Sequence, residues 1–434
     1  MEVIYQVLPR IWGKGKFSDW DRKTFAYLKS LGVTAVWYTG VIRHATGQPF
    51  VKGKLGSPYA IEDYRDVNPY LADKAEDRMD EFRRLVARTH ANGLKVIIDY
   101  VPNHVALNCR DLPVHDWCDY DWTDTRKVDY GNPATWEEML SIVLFWASTG
   151  IDGLRCDMVE MVPAEFFGWL IAKVRERYPG FIFIGEAYSK GNYRRYIGEL
   201  GFSYLYDKSG SYDILRSILC NGSSARNLSW NWQSLQELQP RMLNFLENHD
   251  EQRLASPFFA GSASKGYAAL AWSALFNGAS FMLYAGQEIG EDASDGAEGR
   301  TSIFDPVFPE SLQRLHRYIH GGSGLRPEEL SILTRYRSVL SLCGQEPFAS
   351  GANYDFCWCN SPASGFDPET QFAFLRYTDS KACLVFCNFS DRPAEATVRI
   401  PEDLREQNGA ATLPERVPMR AAAWDFDICP LLLG

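Results

Sequence analysis

The chain has 434 residues and a formal net charge of -10, which argues against a nucleic-acid partner because surfaces that follow phosphates are basic. Hydrophobic residues make up 46% of the chain, enough for a large core, but no apolar run reaches the roughly 20 residues of a membrane span. The ten cysteines are scattered and the start lacks a signal-peptide pattern, so we expect a cytoplasmic protein with free thiols and no membrane contact.

Strand-like and helical segments alternate through most of the chain. A strand over residues 3–9 precedes a helix over 22–30 and a second strand over 32–38, and the last of the series covers 279–284. Eight strands alternating with helices predict an α/β chain with a (β/α)8 TIM barrel in residues 1–345. Four of these predicted strands run into an acid, namely Asp99, Asp157, Glu186 and Asp250.

Two segments depart from this alternation. Residues 103–132 are irregular and rich in Trp and Asp, which predicts a short inserted domain B after the third strand. Near the C-terminus, short strands over 371–377, 382–389 and 396–400 are separated by turn residues without a helix between them. This pattern predicts a C-terminal antiparallel β-sandwich domain over residues 346–434.

The acids at the strand ends predict one shared site. In a parallel barrel the chemistry lies where the strands end, because the following loops enclose that face. Asp157 and Glu186 end neighbouring strands, so they could provide the two closely spaced carboxylates that a retaining glycosidase needs. Arg155 would point the same way as Asp157, since side chains alternate along a strand, and would favour its ionised form.

His104 and His249 each follow an Asn in a strand-end segment and are the candidate histidines for this site. Neutral imidazoles there could donate hydrogen bonds to sugar hydroxyls. A metal-hydrolase barrel built on the same two histidines and the acids is the alternative, and residue spacing does not exclude it.

Four ordered motifs resemble the conserved regions of the α-amylase family, glycoside hydrolase family 13. They are Asp99 to His104, Gly153 to Asp157, Gly185-Glu186 and Glu247 to Asp250. The resemblance implies that Asp157 is the nucleophile, Glu186 the general acid/base and Asp250 the acid that stabilises the transition state. It also implies substrate-binding roles, which would fall to Tyr59, Asp99, His104, Arg155 and His249.

Two departures from the family pattern concern calcium. Many α-amylases have Lys and His three and four residues after the nucleophile, close to a calcium site, where this chain has Glu160 and Met161. The insertion over 103–132 is also short for the family. The resemblance therefore implies no required cofactor, and a calcium ion held by Asn103 is an alternative that both departures disfavour.

From this resemblance we expect a retaining glycoside hydrolase that cleaves α-1,4-glucosidic bonds in maltooligosaccharides or starch by double displacement. A transglycosylase with the same residues is the alternative, because a sugar hydroxyl could replace water in the second step. A non-catalytic carbohydrate-binding protein is a further alternative, but loss of one of the three acids would be its sign and all three are present. The sequence leaves chain-length preference, endo or exo action and the oligomeric state open.

Overall fold

Parallel strands form a closed barrel in the computed structural model, which describes residues 1–406 and 413–431. Neighbouring strands pair in chain order around the ring, and the last pairs with the first, so the predicted TIM barrel is confirmed. The strands are β1 (Val3–Val7), β2 (Ala35–Tyr38), β3 (Lys95–Tyr100), β4 (Gly153–Cys156), β5 (Ile182–Gly185), β6 (Tyr204–Tyr206), β7 (Met242–Phe245) and β8 (Ser280–Tyr284).

Helices on the outside of the barrel cover the strands. The first begins where the Asp21 carboxylate accepts hydrogen bonds from the backbone N–H groups of Lys23 and Thr24, a typical N-cap. Asn132 caps the third helix in the same way. The helices are α1 (Arg22–Ser30), α2 (Arg78–Ala91), α3 (Pro133–Ser148), α4 (Ala164–Arg177), α5 (Asp213–Asn221), α6 (Arg226–Leu235), α7 (Tyr267–Leu275), α8 (Glu310–Gly321) and α9 (Pro327–Leu340).

The strand register brings the acidic strand ends to the same rim. Asp99 on β3 is paired with Arg155 on β4, and Cys156 on β4 is paired with Gly185 on β5. The residues of β4 and β5 are all buried, as expected for parallel strands covered on both faces. Asp157 and Glu186, one residue further along, therefore leave the barrel at the same level.

Two small antiparallel sheets lie in the loops after β2 and β3. Ile42–His44 pairs with Ile61–Val67, and His104–Ala106 pairs with Thr125–Lys127 inside the predicted insertion. Both sheets are at the carboxyl end of the barrel strands, so they build walls around that rim.

The C-terminal segment forms antiparallel sheets, as predicted. A four-stranded sheet has the order β9-β10-β11-β14, and β12 pairs with β13. Residues 407–412 and 432–434 of the predicted 346–434 domain lie outside the described residues. The strands are β9 (Ala352–Asp355), β10 (Gln371–Tyr377), β11 (Ala382–Asn388), β12 (Ala394–Arg399), β13 (Arg416–Ala421) and β14 (Phe426–Leu431).

The C-terminal sheet packs directly on the barrel. The ring of Phe276, just after α7, meets the rings of Phe372 and Phe374 edge-on at 4.9 and 5.1 Å. The Arg376 guanidinium donates to the backbone carbonyl of Phe276 at 3.1 Å. Among the described helices, none is long and apolar enough to cross a membrane.

Candidate active site

The predicted acids lie around one cavity at the carboxyl end of the barrel. Asp157 follows β4 and Glu186 follows β5, and both are buried, whereas the side chain of Asp250 in the loop after β7 is 42% exposed. Tyr59 and His104 also line the cavity, while Asp99 and Arg155 are not among its lining residues and contact it through Asp157 and Tyr59. The cavity has a volume of about 260 Å³ and is lined by Lys52, Ser57, Tyr59, His104, Trp122, Asp124, Thr125, Asp157, Met158, Glu186, Tyr188, Asp250, Ile303 and Phe304.

A single buried cation, Arg155, holds the acids together. Its Nη1 lies 2.7 Å from Asp157 Oδ1 and 3.8 Å from Asp99 Oδ1. Its Nη2 lies 2.8 Å from Glu186 Oε2 and 4.0 Å from Asp250 Oδ2. Four carboxyl groups therefore share one guanidinium, so the centre has a surplus of negative charge when they are ionised. Such a surplus favours a cationic transition state.

Aromatic rings fix the orientation of this guanidinium. The centre of the Arg155 guanidinium is 5.4 Å from the ring centroid of Trp37 and 5.5 Å from those of Tyr59 and Tyr206. Its Nε also donates to the Tyr206 hydroxyl at 3.2 Å. The cation is thus enclosed by π faces on the sides that the carboxylates do not occupy.

Glu186 receives two further hydrogen bonds besides its ion pair. The backbone N–H of Met158 donates to Oε2 at 2.8 Å, and the hydroxyl of Tyr188 donates to Oε1 at 2.6 Å. Met158 has φ 45° and ψ 48°, a left-handed conformation that is uncommon outside glycine. Burial and the nearby charge of Asp157 raise the pKa of Glu186, while Arg155 and the hydrogen bonds oppose that rise. A raised pKa is what a proton donor requires.

Asp157 occupies a different environment. Burial raises the pKa of Asp157, and the hydrogen-bonded Arg155 beside it opposes that rise. The carboxylate keeps its short contact to the cation and points into the cavity. It can therefore act as an ionised nucleophile next to a protonated Glu186, a division of roles that two neighbouring acids with a shared cation allow.

His249 is part of a hydrogen-bonded chain from the barrel interior to Asp250. The side-chain amide of Gln6 lies 2.6 Å from Nδ1, so Nε2 carries the proton and faces Asp250 Oδ2 at 3.1 Å. The Tyr59 hydroxyl is 2.5 Å from Nε2 and donates to Asp99 Oδ1 at 3.1 Å, and its ring stacks on the imidazole at 5.1 Å. Burial, together with the charge of a nearby arginine, lowers the pKa of His249 well below its usual value, so the ring is neutral.

His104 joins the barrel to the wall formed by the insertion. Its ring lies 5.0 Å from that of Trp122, and both line the cavity. Burial lowers the pKa of His104 to about 4, so it is neutral near pH 7. Lys52 and Asp124 also line the cavity, and Lys52 Nζ lies 3.6 Å from Asp124 Oδ1.

Several site residues were not found from the sequence. Tyr188 and Met158 were missed, although each is within two residues of a predicted acid, which was the available signal. Trp122, Lys52 and Phe304 lie in loops without a recognisable motif. Their part in the site depends on how these loops fold over the rim.

The side chains that could bind a metal ion are not arranged as the metal-hydrolase alternative requires. His249 is turned toward Gln6, Tyr59 and Asp250, and His104 toward Trp122. Within residues 1–406 and 413–431, His, Cys, Asp and Glu side chains form no group of three or more that could hold a metal ion.

A family profile described as "Alpha amylase, catalytic domain" matches residues 22–113 and 117–306, more than half of the chain. An α-1,4-glucan:maltose-1-phosphate maltosyltransferase of Cereibacter sphaeroides is 27% identical over 245 residues, which are 46% of this chain and 39% of that protein. A cyclomaltodextrin glucanotransferase of Bacillus sp. (strain 1-1) is 24% identical over 305 residues, 57% of this chain and 40% of that protein. The matched region thus spans about two fifths of these curated relatives.

Solved structures share the fold over nearly the whole chain. An α-amylase from Lactobacillus plantarum superposes with a TM-score of 0.75 at 20% identity, covering 99% of both chains. A cyclic α-maltosyl-(1→6)-maltose hydrolase from Arthrobacter globiformis gives 0.74 at 16% identity, covering 99% of this chain and 98% of the other. At these identities the likeness shows the fold.

Proposed function

Because the chain belongs to the α-amylase family, we propose that it is a retaining glycoside hydrolase that cleaves α-1,4-glucosidic bonds in maltooligosaccharides or starch. The observation that supports this most directly is the pairing of Asp157 and Glu186 with the two ends of one buried guanidinium, at 2.7 and 2.8 Å. This arrangement keeps the two carboxyl groups close together. Retaining enzymes hold them about 5–5.5 Å apart, whereas inverting enzymes need roughly 6.5–9.5 Å to admit a water molecule.

In the first step, the Asp157 carboxylate attacks the anomeric carbon while protonated Glu186 gives its proton to the departing glycosidic oxygen. The positive charge that develops on the sugar ring meets the anionic centre described above. Asp250, whose side chain is partly exposed, adds a further negative charge at that point in its ionised form, although burial and the charge of Glu186 raise its pKa. The sugar in the ground state is neutral, so these charges favour the transition state over the substrate.

In the second step, Glu186 is ionised and takes a proton from the incoming water, which releases the sugar from Asp157 with retained configuration. Tyr188 and the Met158 N–H hold the Glu186 carboxylate in place for both steps. The neutral ring of His104 faces the cavity and can donate to a sugar hydroxyl, while neutral His249 holds Asp250 and Tyr59 in place, and neither ring adds positive charge near the reacting carbon.

A transglycosylase is the second candidate, and one observation favours it. The curated relatives named above are a maltosyltransferase and a glucanotransferase by description. The same residues would act in the same roles, with a sugar hydroxyl in place of water in the second step.

A time course on maltoheptaose, with and without an added sugar acceptor, tests the proposal. Product lengths and anomeric configuration are read by chromatography and NMR. Shorter products of α configuration support the hydrolase, and products longer than the substrate favour the transferase. β-Configured products would contradict the retaining mechanism.

The Asp157→Asn variant is the matched control, because it keeps the size of the side chain and removes its nucleophilic charge. Turnover that survives in this variant would remove Asp157 as the nucleophile. If the wild-type chain binds maltoheptaose but leaves it and α-1,6 glucans unchanged, the non-catalytic binding protein becomes the better account.

A further inference from the structure

A mostly shielded ammonium group, that of Lys127, joins the insertion to the barrel near the active site. Lys127 Nζ donates to three oxygen atoms: the side-chain Oδ1 of Asn103, Asp119 Oδ2 at 3.1 Å and the backbone carbonyl of Met161 at 3.0 Å. The side chains of Lys127 and Asp119 are 13% and 11% exposed, and Asn103 is fully buried. The Lys127 ammonium group is therefore bound mainly by protein oxygen atoms and only slightly by water.

The three oxygen atoms come from three separate segments. Asn103 follows β3, Asp119 lies in the middle of the insertion, and Met161 lies in the turn after β4, four residues beyond Asp157. Lys127 itself is on the returning strand of the insertion, opposite His104. One charged group therefore ties together the strand end, the insertion and the turn after the nucleophile.

This is also the place where many members of the family resembled would hold calcium, the alternative that the sequence of this chain disfavours. Calcium takes six to eight oxygen ligands at about 2.3–2.6 Å, often mixing amide, carboxylate and carbonyl oxygens. Asn103, Asp119 and Met161 supply one oxygen of each kind, but the ammonium already contacts all three. A divalent cation at that point would lie against a like charge, so the residues present do not fit calcium.

We propose that Lys127 acts as a built-in structural cation, a positioning residue that takes the place of a bound divalent ion and makes the active-site wall independent of calcium. Two of the residues that Lys127 contacts, Asn103 and Met161, connect it to the lining of the cavity. Asn103 Nδ2 lies 3.2 Å from His104 Nδ1, and the turn that ends at Met161 begins at Met158, whose N–H binds Glu186. Lys127 thus supports both the His104 wall and the proton donor.

The test compares thermal melting of the full chain after exhaustive chelation and in millimolar calcium. The wild-type melting temperature should be the same in both, and calorimetry should detect no calcium binding. Lys127→Ala should lower the melting temperature by roughly 5 °C, because it leaves the mostly shielded Asp119 carboxylate without its cationic partner. Lys173→Ala, which removes an exposed lysine paired with Glu176 on α4, is the matched control and should melt as the wild type does.

Calcium should partly restore the melting temperature of Lys127→Ala, since the three oxygen atoms are then free to accept a cation. Adding Asp119→Asn to that variant should abolish the response, because the charged ligand is gone. The kcat/KM of Lys127→Ala on maltoheptaose should fall, and added calcium should restore it together with the melting temperature. A substitution that only destabilises the fold would not respond to calcium in this way.

Three results would overturn the proposal: calcium-dependent melting of the wild-type chain, an unchanged melting temperature in Lys127→Ala, or no calcium response in that variant. If Lys127→Ala yields no folded protein, the wild-type melting and calorimetry decide the question. The melting and calorimetry measurements need no substrate, so a failure of the proposed glucan activity would not be confused with a failure of this inference.

Discussion

Replacing Tyr188 by Phe isolates one hydrogen bond to the proposed proton donor. The Tyr188 hydroxyl donates to Glu186 Oε1 at 2.6 Å and so favours the ionised carboxylate. Its removal should raise the pKa of Glu186 further above the usual value, beyond the rise that burial and Asp157 already cause. In the proposed mechanism activity requires protonated Glu186, so activity is lost as the pH rises through the pKa of Glu186. The alkaline limb of kcat/KM should therefore move to higher pH in Tyr188→Phe.

The size of this shift follows from the exposure of the tyrosine. A hydrogen bond to a charged group contributes about 1.5–3 kcal/mol when fully buried, and one pH unit corresponds to about 1.4 kcal/mol. Tyr188 is 37% exposed, so water replaces part of the lost bond. We therefore expect a shift of roughly half to one pH unit.

The assay is the pH dependence of kcat/KM on maltoheptaose for the wild type, Tyr188→Phe and Tyr196→Phe. Tyr196 is the matched control, because its hydroxyl donates to the Val159 carbonyl at 3.2 Å in the same region and does not touch Glu186. The acid limb, which reports ionisation of Asp157, should stay in place in both variants. An alkaline limb that stays fixed or moves to lower pH in Tyr188→Phe would refute this reasoning.

Three further predictions concern the nucleophile, the proton donor and the barrel. Asp157→Asn should abolish turnover but keep maltoheptaose binding by calorimetry; loss of both would indicate a folding defect instead. Glu186→Ala should reduce hydrolysis of maltoheptaose far more than that of an activated aryl glucoside, whose leaving group needs no proton, and equal losses would contradict the proposed role. Gly153→Ala should destabilise the barrel by about 1–3 kcal/mol, because its Cβ would lie 2.6 Å from the Ile182 Cβ and carbonyl oxygen on β5. Gly180→Ala, whose Cβ would meet nothing within 4 Å, is the control, and equal melting temperatures would refute the packing argument.

The barrel and the position of its acids were predictable because the signal for both is local. A short apolar run that ends in a carboxylate already specifies a buried strand and the rim where its acid emerges, as Asp157 and Glu186 show. The pairing that closes the ring, between β1 and β8, joins residues about 280 positions apart, such as Val3 and Phe281. No local pattern encodes that contact, so closure was inferred only from the number of repeats.

The missed contacts depend on backbone geometry. Met158 binds Glu186 through its main-chain N–H, and Lys127 binds the main-chain carbonyl of Met161. Every residue carries such groups, so the identity of the side chain gives no signal. Glu160 and Met161 depart from the family pattern, and this departure alone argued against calcium. The lysine proposed to replace calcium could not be predicted, because its contacts form only when the insertion folds against the barrel.

Arg155 and Lys127 lie in differently balanced sets of charges, and this difference separates catalysis from support. Around Lys127, one carboxylate meets one ammonium with neutral oxygen atoms beside them, a balanced set that stabilises the fold. Around Arg155, four carboxyl groups meet one guanidinium, an unbalanced set that costs stability. Protonation of Glu186 relieves part of that imbalance, and a positive charge on the substrate relieves more of it; in glycosidic cleavage that charge exists in the transition state. The surplus of negative charge around Arg155 is therefore the feature of the structure best suited to lower the activation barrier.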